Sequence, residues 1–195
     1  MKFSARDITM TAVFAALAVV AAMLVRFAGP IVPFSLLPFV VMLSGGLLGA
    51  RLGALSIIVY IMLGLIGLPV FASPPFGGPS YVLQPTFGFL LGFVVSAYVI
   101  GILLRNREQS GFVRYFLAML AGVAVYDVVG LPYLYAILTF YLGKTVSVAY
   151  VMAIGFTPFI LLDLVKAAAA AALARAVYRR LSAYGVEQSS PHTNQ

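Results

Sequence analysis

The run ITMTAVFAALAVVAAMLVRF, from Ile8 to Phe27, decides the kind of fold, because Arg26 is its one charged residue. About 20 apolar residues in a helix cross the hydrocarbon of a bilayer. The rest of the chain has the same character. Of 195 residues, 63% are hydrophobic and 9% charged, and the mean hydropathy is +1.09. A soluble domain carries about 45–50% apolar and about 25% charged residues. Too few polar side chains exist here to coat a globule, so the solvent is mostly lipid. With no cysteine, disulfides, thiolate metal sites and redox pairs are excluded. The single histidine, His192, lies in the polar tail, which excludes histidine chemistry inside the membrane. No metal or cofactor is expected. The net charge of +7 reads as loop charge on a membrane protein rather than as a nucleic-acid surface.

Working outward, apolar runs and Gly/Pro punctuation predict five more spans. After the break at Gly29-Pro30 they cover about Phe34 to Leu48, Leu52 to Leu68, Thr86 to Leu104, Phe112 to Ile137, and Pro158 to Tyr178. The second and third are short for a perpendicular crossing. The expectation is an all-α membrane protein with a single six-helix domain over residues 1–181 and a polar tail over 182–195. That leaves no room for a soluble ATPase domain. With the N-terminus in the cytoplasm, Lys2, Arg6, Arg51, Arg105, Arg107, Arg114, Arg175, Arg179 and Arg180 fall inside, against Arg26 and Lys144 outside. That bias predicts both termini in the cytoplasm. The basic start of the first run resembles a signal peptide, but its length is that of a retained helix. One half does not repeat the other.

Charged side chains inside a bilayer are costly, so their default reading is functional. Asp127, Asp163 and Lys166 are the candidates. Asp163 and Lys166 are i and i+3, on one helix face. Two readings stand: a self-neutralising structural pair, or a polar clamp for a solute with donors, acceptors and an anionic end. Thr157-Pro158 predicts the start of the last helix, as hydroxyl N-cap and proline at the first position. Both charges then lie in the outer half of the membrane, as does Asp127, so the three are able to line one outward-facing pocket. Asp127 alone fits a buried hydrogen-bonded aspartate equally well, and Tyr126 and Gly130-Leu131-Pro132 near it fit a helix irregularity.

The loop from Pro69 to Pro85 carries no charge but holds Gly77, Gly78, Ser80, Tyr81 and Gln84 among prolines and aromatics. Loops this long are often lids, with glycines that admit close backbone approach. Phe71, Phe76 and Tyr81 are expected to cover a flat, partly apolar solute. The first helix bears two small-residue pairs, Ala12/Ala16 and Ala18/Ala22, spaced for close helix contact. They serve either internal packing or a second membrane subunit. Gly45, Gly49 and Gly53 repeat the spacing across a turn, without a clear meaning. Gly143-Lys144-Thr145 lacks the upstream glycine of a phosphate-binding loop, with Leu138 in its place, so no ATP site follows.

Several ordered stretches resemble the BioY family, the biotin-specific substrate-binding (S) components of energy-coupling factor (ECF) transporters. They are Gly67-Leu68-Pro69-Val70-Phe71-Ala72, Tyr81-Val82-Leu83-Gln84-Pro85-Thr86-Phe87-Gly88-Phe89-Leu90, Val32-Pro33-Phe34-Ser35-Leu36, Leu47 to Ser56, and Pro158-Phe159-Ile160 leading to Asp163-Leu164-Val165-Lys166-Ala167. The resemblance implies a six-helix S-component bundle in a prokaryotic plasma membrane. It would bind biotin from outside and pair with a transmembrane coupling subunit and two cytoplasmic ATPases. It maps biotin contacts onto Asp163, Lys166 and the loop around Gln84, with Ser80 and Tyr81 beside it. It maps subunit docking onto Ala12 and Ala16. Two departures stand out: Leu37 where the family often has Gln, and Ser73-Pro74-Pro75 where more glycine is usual.

Three other functions compete. One is an S component for a different small acid such as lipoate. Another is a proton-coupled carrier using Asp127 and Asp163. The third, an intramembrane enzyme, has no histidine in a span, no carboxylate cluster and no activated nucleophile to support it, so no enzymatic activity is expected.

Overall fold

A computed structural model describes residues 3–27, 35–105 and 110–189, with side chains up to Arg180. Lys2, Gly29-Pro30, Val32-Pro33-Phe34, Arg107 and His192 lie outside the described residues.

The described elements are helical. α1 spans Ala5–Phe27, α2 Leu37–Leu48, α3 Ala50–Leu65, α4 Phe87–Leu103, α5 Phe112–Ala136, α6 Val148–Gly155 and α7 Ile160–Ser189. A short 3-10 turn, Pro79–Leu83, interrupts the long loop, and a π-turn, Ile137–Tyr141, prolongs α5. α1, α5 with its π-turn, and the bent pair α6–α7 are long and apolar enough to cross a membrane. α2, α3 and α4 are apolar but shorter.

Local chemistry explains where the helices depart from the expected bounds. α1 starts three residues before Ile8 because Ser4 and Asp7 cap it reciprocally. Asp7 N–H donates to Ser4 Oγ at 3.2 Å, and Ser4 N–H to the Asp7 carboxylate at 3.0 Å. α3 stops short of Leu68 because Gly67, at φ 111°, reverses the chain, and Leu68 N–H reaches back to the Leu63 carbonyl at 3.1 Å. The expected cap at Thr157-Pro158 does not form. The Thr157 hydroxyl donates instead to the Met152 carbonyl at 3.2 Å, closing α6, and α7 begins at Ile160. α6 itself was not expected; Ser147 caps it, accepting from Tyr150 N–H at 3.1 Å. α5 runs through Pro132, and its irregularity falls five residues later, as the π-turn. α7 continues past Leu181 to Ser189.

α4 and α5 form the central pair. α2 and α3 pack on α4, α7 lies against α5 and α2, and α1 lies against α3 and α2. Small residues set the spacing. A Cβ on Gly101 of α4 would lie 2.1 Å from the Ala50 nitrogen, and one on Gly53 would lie 2.8 Å from the Ser44 carbonyl oxygen. The three glycines of the α2–α3 region thus acquire separate tasks. Gly49 turns the chain at φ 84°, Gly53 lets α3 fold back on α2, and Gly45 lets α2 meet α4. The two alanine pairs of α1 also separate: Ala18 and Ala22 are fully buried, whereas Ala12 and Ala16 are exposed.

Candidate ligand-binding cavity

At one end of the bundle a cavity of about 440 Å³ lies between α2, α3, α4, α5, α6, α7 and the loop after α3. Its size is within the about 300–1,000 Å³ usual for small-molecule sites. Its wall is mostly apolar and aromatic, including Phe89, Phe93 and Phe159. The charged groups on the wall all come from α5 and α7.

Asp163 and Lys166 line the cavity as a buried ion pair, Nζ to Oδ1 2.9 Å. Their i,i+3 spacing places them together, and on the same helix Ala167, Ala170, Ala171 and Ala174 form a slim, fully buried face against its neighbours. Asp127, on α5, is also buried, lines the same cavity and lies in the field of Asp163. The three charged candidates Asp127, Asp163 and Lys166 therefore converge on one cavity. Tyr126 joins them. Its hydroxyl is buried beside the Asp163 carboxylate yet makes no well-formed hydrogen bond. Tyr126 lines the same cavity as the three charged residues. Gly92 of α4 positions it: a Cβ there would lie 2.8 Å from Tyr126 Cα, so α5 approaches closely, and Phe93 meets the tyrosine ring edge-on at 5.1 Å.

The loop supplies the opposite wall through Ala72, Ser73 and Tyr81. The Tyr81 and Ser73 hydroxyls are 3.0 Å apart. Ser80 is exposed and Gln84 half-buried, and neither lines the cavity. Phe71 and Phe76 do not cover it either. Phe71 is fully buried between Tyr60 and Tyr81, with its ring where a side chain on Gly64 would be. Phe76 lies under Arg26. Gly77 presses on the Leu68 carbonyl and Gly78 adopts φ 96°, so these glycines serve the loop's own path.

Sequence reasoning missed Ser35, Ser73, Thr86 and Tyr60 on the wall, and took Tyr126 only for a helix irregularity. None of them carries a charge in an apolar run, the one signal that marks a single residue without its tertiary neighbours.

The BioY family model matches residues 1–183. The chain belongs to the BioY family. It is 41% identical to "Probable biotin transporter BioY" of Lysinibacillus sphaericus, over 90% of this chain and 88% of that one. It is 37% identical to "Biotin transporter BioY" of Thermotoga maritima, over 87% of this chain and 94% of that one. BioY is thus a family of membrane transport proteins rather than of enzymes. The crystal structure of the S-component for biotin from an ECF-type ABC transporter superposes with a TM-score of 0.74 at 24% identity, covering 91% of this chain and 95% of that one. The bundle is therefore that of an ECF S component. Both departures from the expected BioY pattern, Leu37 and Ser73, lie on the cavity wall.

Proposed function

We propose that this chain is the biotin-binding membrane subunit of an ATP-driven ECF transporter in a prokaryotic plasma membrane. It takes biotin from the outer side, has both termini in the cytoplasm, and works with a transmembrane coupling subunit and two cytoplasmic ATPases. The observation that carries the reading is the buried Asp163–Lys166 pair on the wall of a mostly apolar cavity, in a chain 41% identical to a relative named "Probable biotin transporter BioY".

The chemistry matches in kind. Biotin presents a ureido ring with two N–H donors and one carbonyl, an apolar thiophane and chain, and a carboxylate. Asp163 accepts the ureido N–H groups, and Lys166 keeps donors for the carbonyl beyond the one spent on Asp163. Such charge-assisted bonds are short and strong in a dry site. The buried Tyr126 hydroxyl gains a partner from the same ring. Asp127 and Asp163 repel a ligand carboxylate, which directs it towards the hydroxyls of Ser73 and Tyr81. Ala12 and Ala16 are exposed on α1, as small residues of a docking face for the coupling subunit would be.

The test is binding of radiolabelled biotin to the purified chain in nanodiscs, with mass spectrometry of any ligand it carries from the cell. Saturable binding that excess lipoate does not displace is expected. No binding at micromolar biotin, or displacement by equimolar lipoate, would overturn the assignment.

A further inference from the structure

Arg26 lies at the last turn of α1 and does not line the cavity. Its guanidinium reaches across 45 residues of chain to the loop after α3. Nε donates to the Phe71 carbonyl at 3.0 Å, and Nη2 to the carbonyls of Phe71 and Pro69. The same group lies over the Phe76 ring, 4.2 Å from its centroid. Phe76 has φ 66°, a left-handed conformation uncommon for a bulky side chain and one that persists only where its surroundings hold it. Between these contacts the loop closes on itself, Phe71 N–H donating to the Phe76 carbonyl and Phe76 N–H to the Ser73 carbonyl, each at 2.8 Å.

We infer that Arg26 is a positioning residue for ligand retention: it clamps the 69–76 loop from α1 and so fixes the wall formed by Ala72, Ser73 and Tyr81. The geometry supports this in three ways. The clamped carbonyl of Phe71 is one bond from Ala72 and two residues from Ser73, both on the cavity wall. The Phe71 ring stacks on Tyr81, centroids 4.1 Å apart, so moving Phe71 moves a second wall residue. A planar fork able to serve two carbonyls while lying on an aromatic face is a capacity of arginine that lysine lacks. The clamp also ties the loop to α1, the helix proposed to meet the coupling subunit, so a movement of α1 reaches the cavity directly.

The retention step rests on the proposed biotin site, so the experiment has a part that needs no ligand. Hydrogen exchange of the ligand-free protein in nanodiscs is compared for wild type, Arg26→Gln and Arg26→Lys. Arg26→Gln is expected to speed exchange at residues 70–78 at least tenfold, with α1 and α3 unchanged. Arg26→Lys is expected to fall between it and wild type, and serves alone if Arg26→Gln does not insert. With biotin, dissociation is expected at least tenfold faster in Arg26→Gln, and association within twofold of wild type. Unchanged exchange in the loop, an equal rise throughout α1 and α3, or an Arg26→Lys variant identical to wild type in exchange and dissociation would each overturn the inference. A wild-type protein that binds no biotin would sink the proposed function, and the exchange data alone would then decide the clamp.

Discussion

The two ends of the bundle solve opposite problems. At the cavity end, α5, α7 and the loop hold apart enough to leave about 440 Å³, and the buried polar groups Asp127, Asp163, Lys166 and Tyr126 gather around it. At the far end, Gly101 touches the α2–α3 turn, and Gly46 meets Ala174 and Met119 with no room for a side chain. In lipid, helices associate through close packing and hydrogen bonds rather than by escaping water. A site that leaves empty volume forgoes that close packing locally. The packed end supplies the stability that the cavity end lacks, and this division predicts that binding and folding are separable by mutation.

The largest effect is expected from Asp163→Ala. It removes the ligand's acceptor and leaves Lys166 buried without its partner, so biotin affinity should fall at least a hundredfold. The folded state should lose about 3–5 kcal/mol. The double variant Asp163→Asn, Lys166→Met removes the stranded charge and should recover stability without recovering binding, as thermal unfolding and biotin titration would report. Wild-type affinity in the double variant would make the pair structural and break the comparison at its main point.

Gly101→Ala probes the other end. The added methyl meets backbone atoms of Ala50 at 2.1 and 2.4 Å, and overpacking of this kind costs about 1–3 kcal/mol. The unfolding temperature should drop while the affinity of the folded protein stays within about threefold of wild type. A comparable loss of affinity would show that the two ends are mechanically joined.

A smaller effect is expected from Tyr126→Phe, which deletes one hydroxyl without changing the packing. A lost hydrogen bond to a ligand weakens binding by about 1 kcal/mol, or about fivefold. The ligand-free protein should lose at most about 1 kcal/mol, the worth of the hydroxyl's contact with Asp163. Unaltered affinity with lowered stability would assign the hydroxyl to the fold.

The smallest effect on the ligand belongs to Ala16→Trp. Its site faces outward from α1, so biotin affinity should change less than twofold, yet a bulky side chain there should hold a partner helix away and abolish uptake. Pull-down of the coupling subunit beside a binding assay checks both. Lost affinity with the complex intact would place this face in the internal fold.

The sequence by itself determined the solvent and much of the site. The apolar runs required a membrane, and the i,i+3 spacing put Asp163 and Lys166 on one face. Helix rise put Asp127 near the level of that pair, and all three line one cavity. These are local quantities, fixed by composition and by the period of a helix. Tertiary structure decided everything that depends on which face meets which neighbour. Ala12/Ala16 and Ala18/Ala22 share one spacing, but only the second pair is buried, because α2 and α3 cover that side of α1. Phe71 and Tyr81 lie in one loop, yet Phe71 fills core space that Gly64 leaves free, and Tyr81 lines the cavity. Arg26 looked like an outside charge by position alone; its partners stand 43 and 45 residues away. Helix periodicity says which side chains share a side of an element. Only the packing of elements remote in sequence says whether that side meets lipid, protein or a ligand.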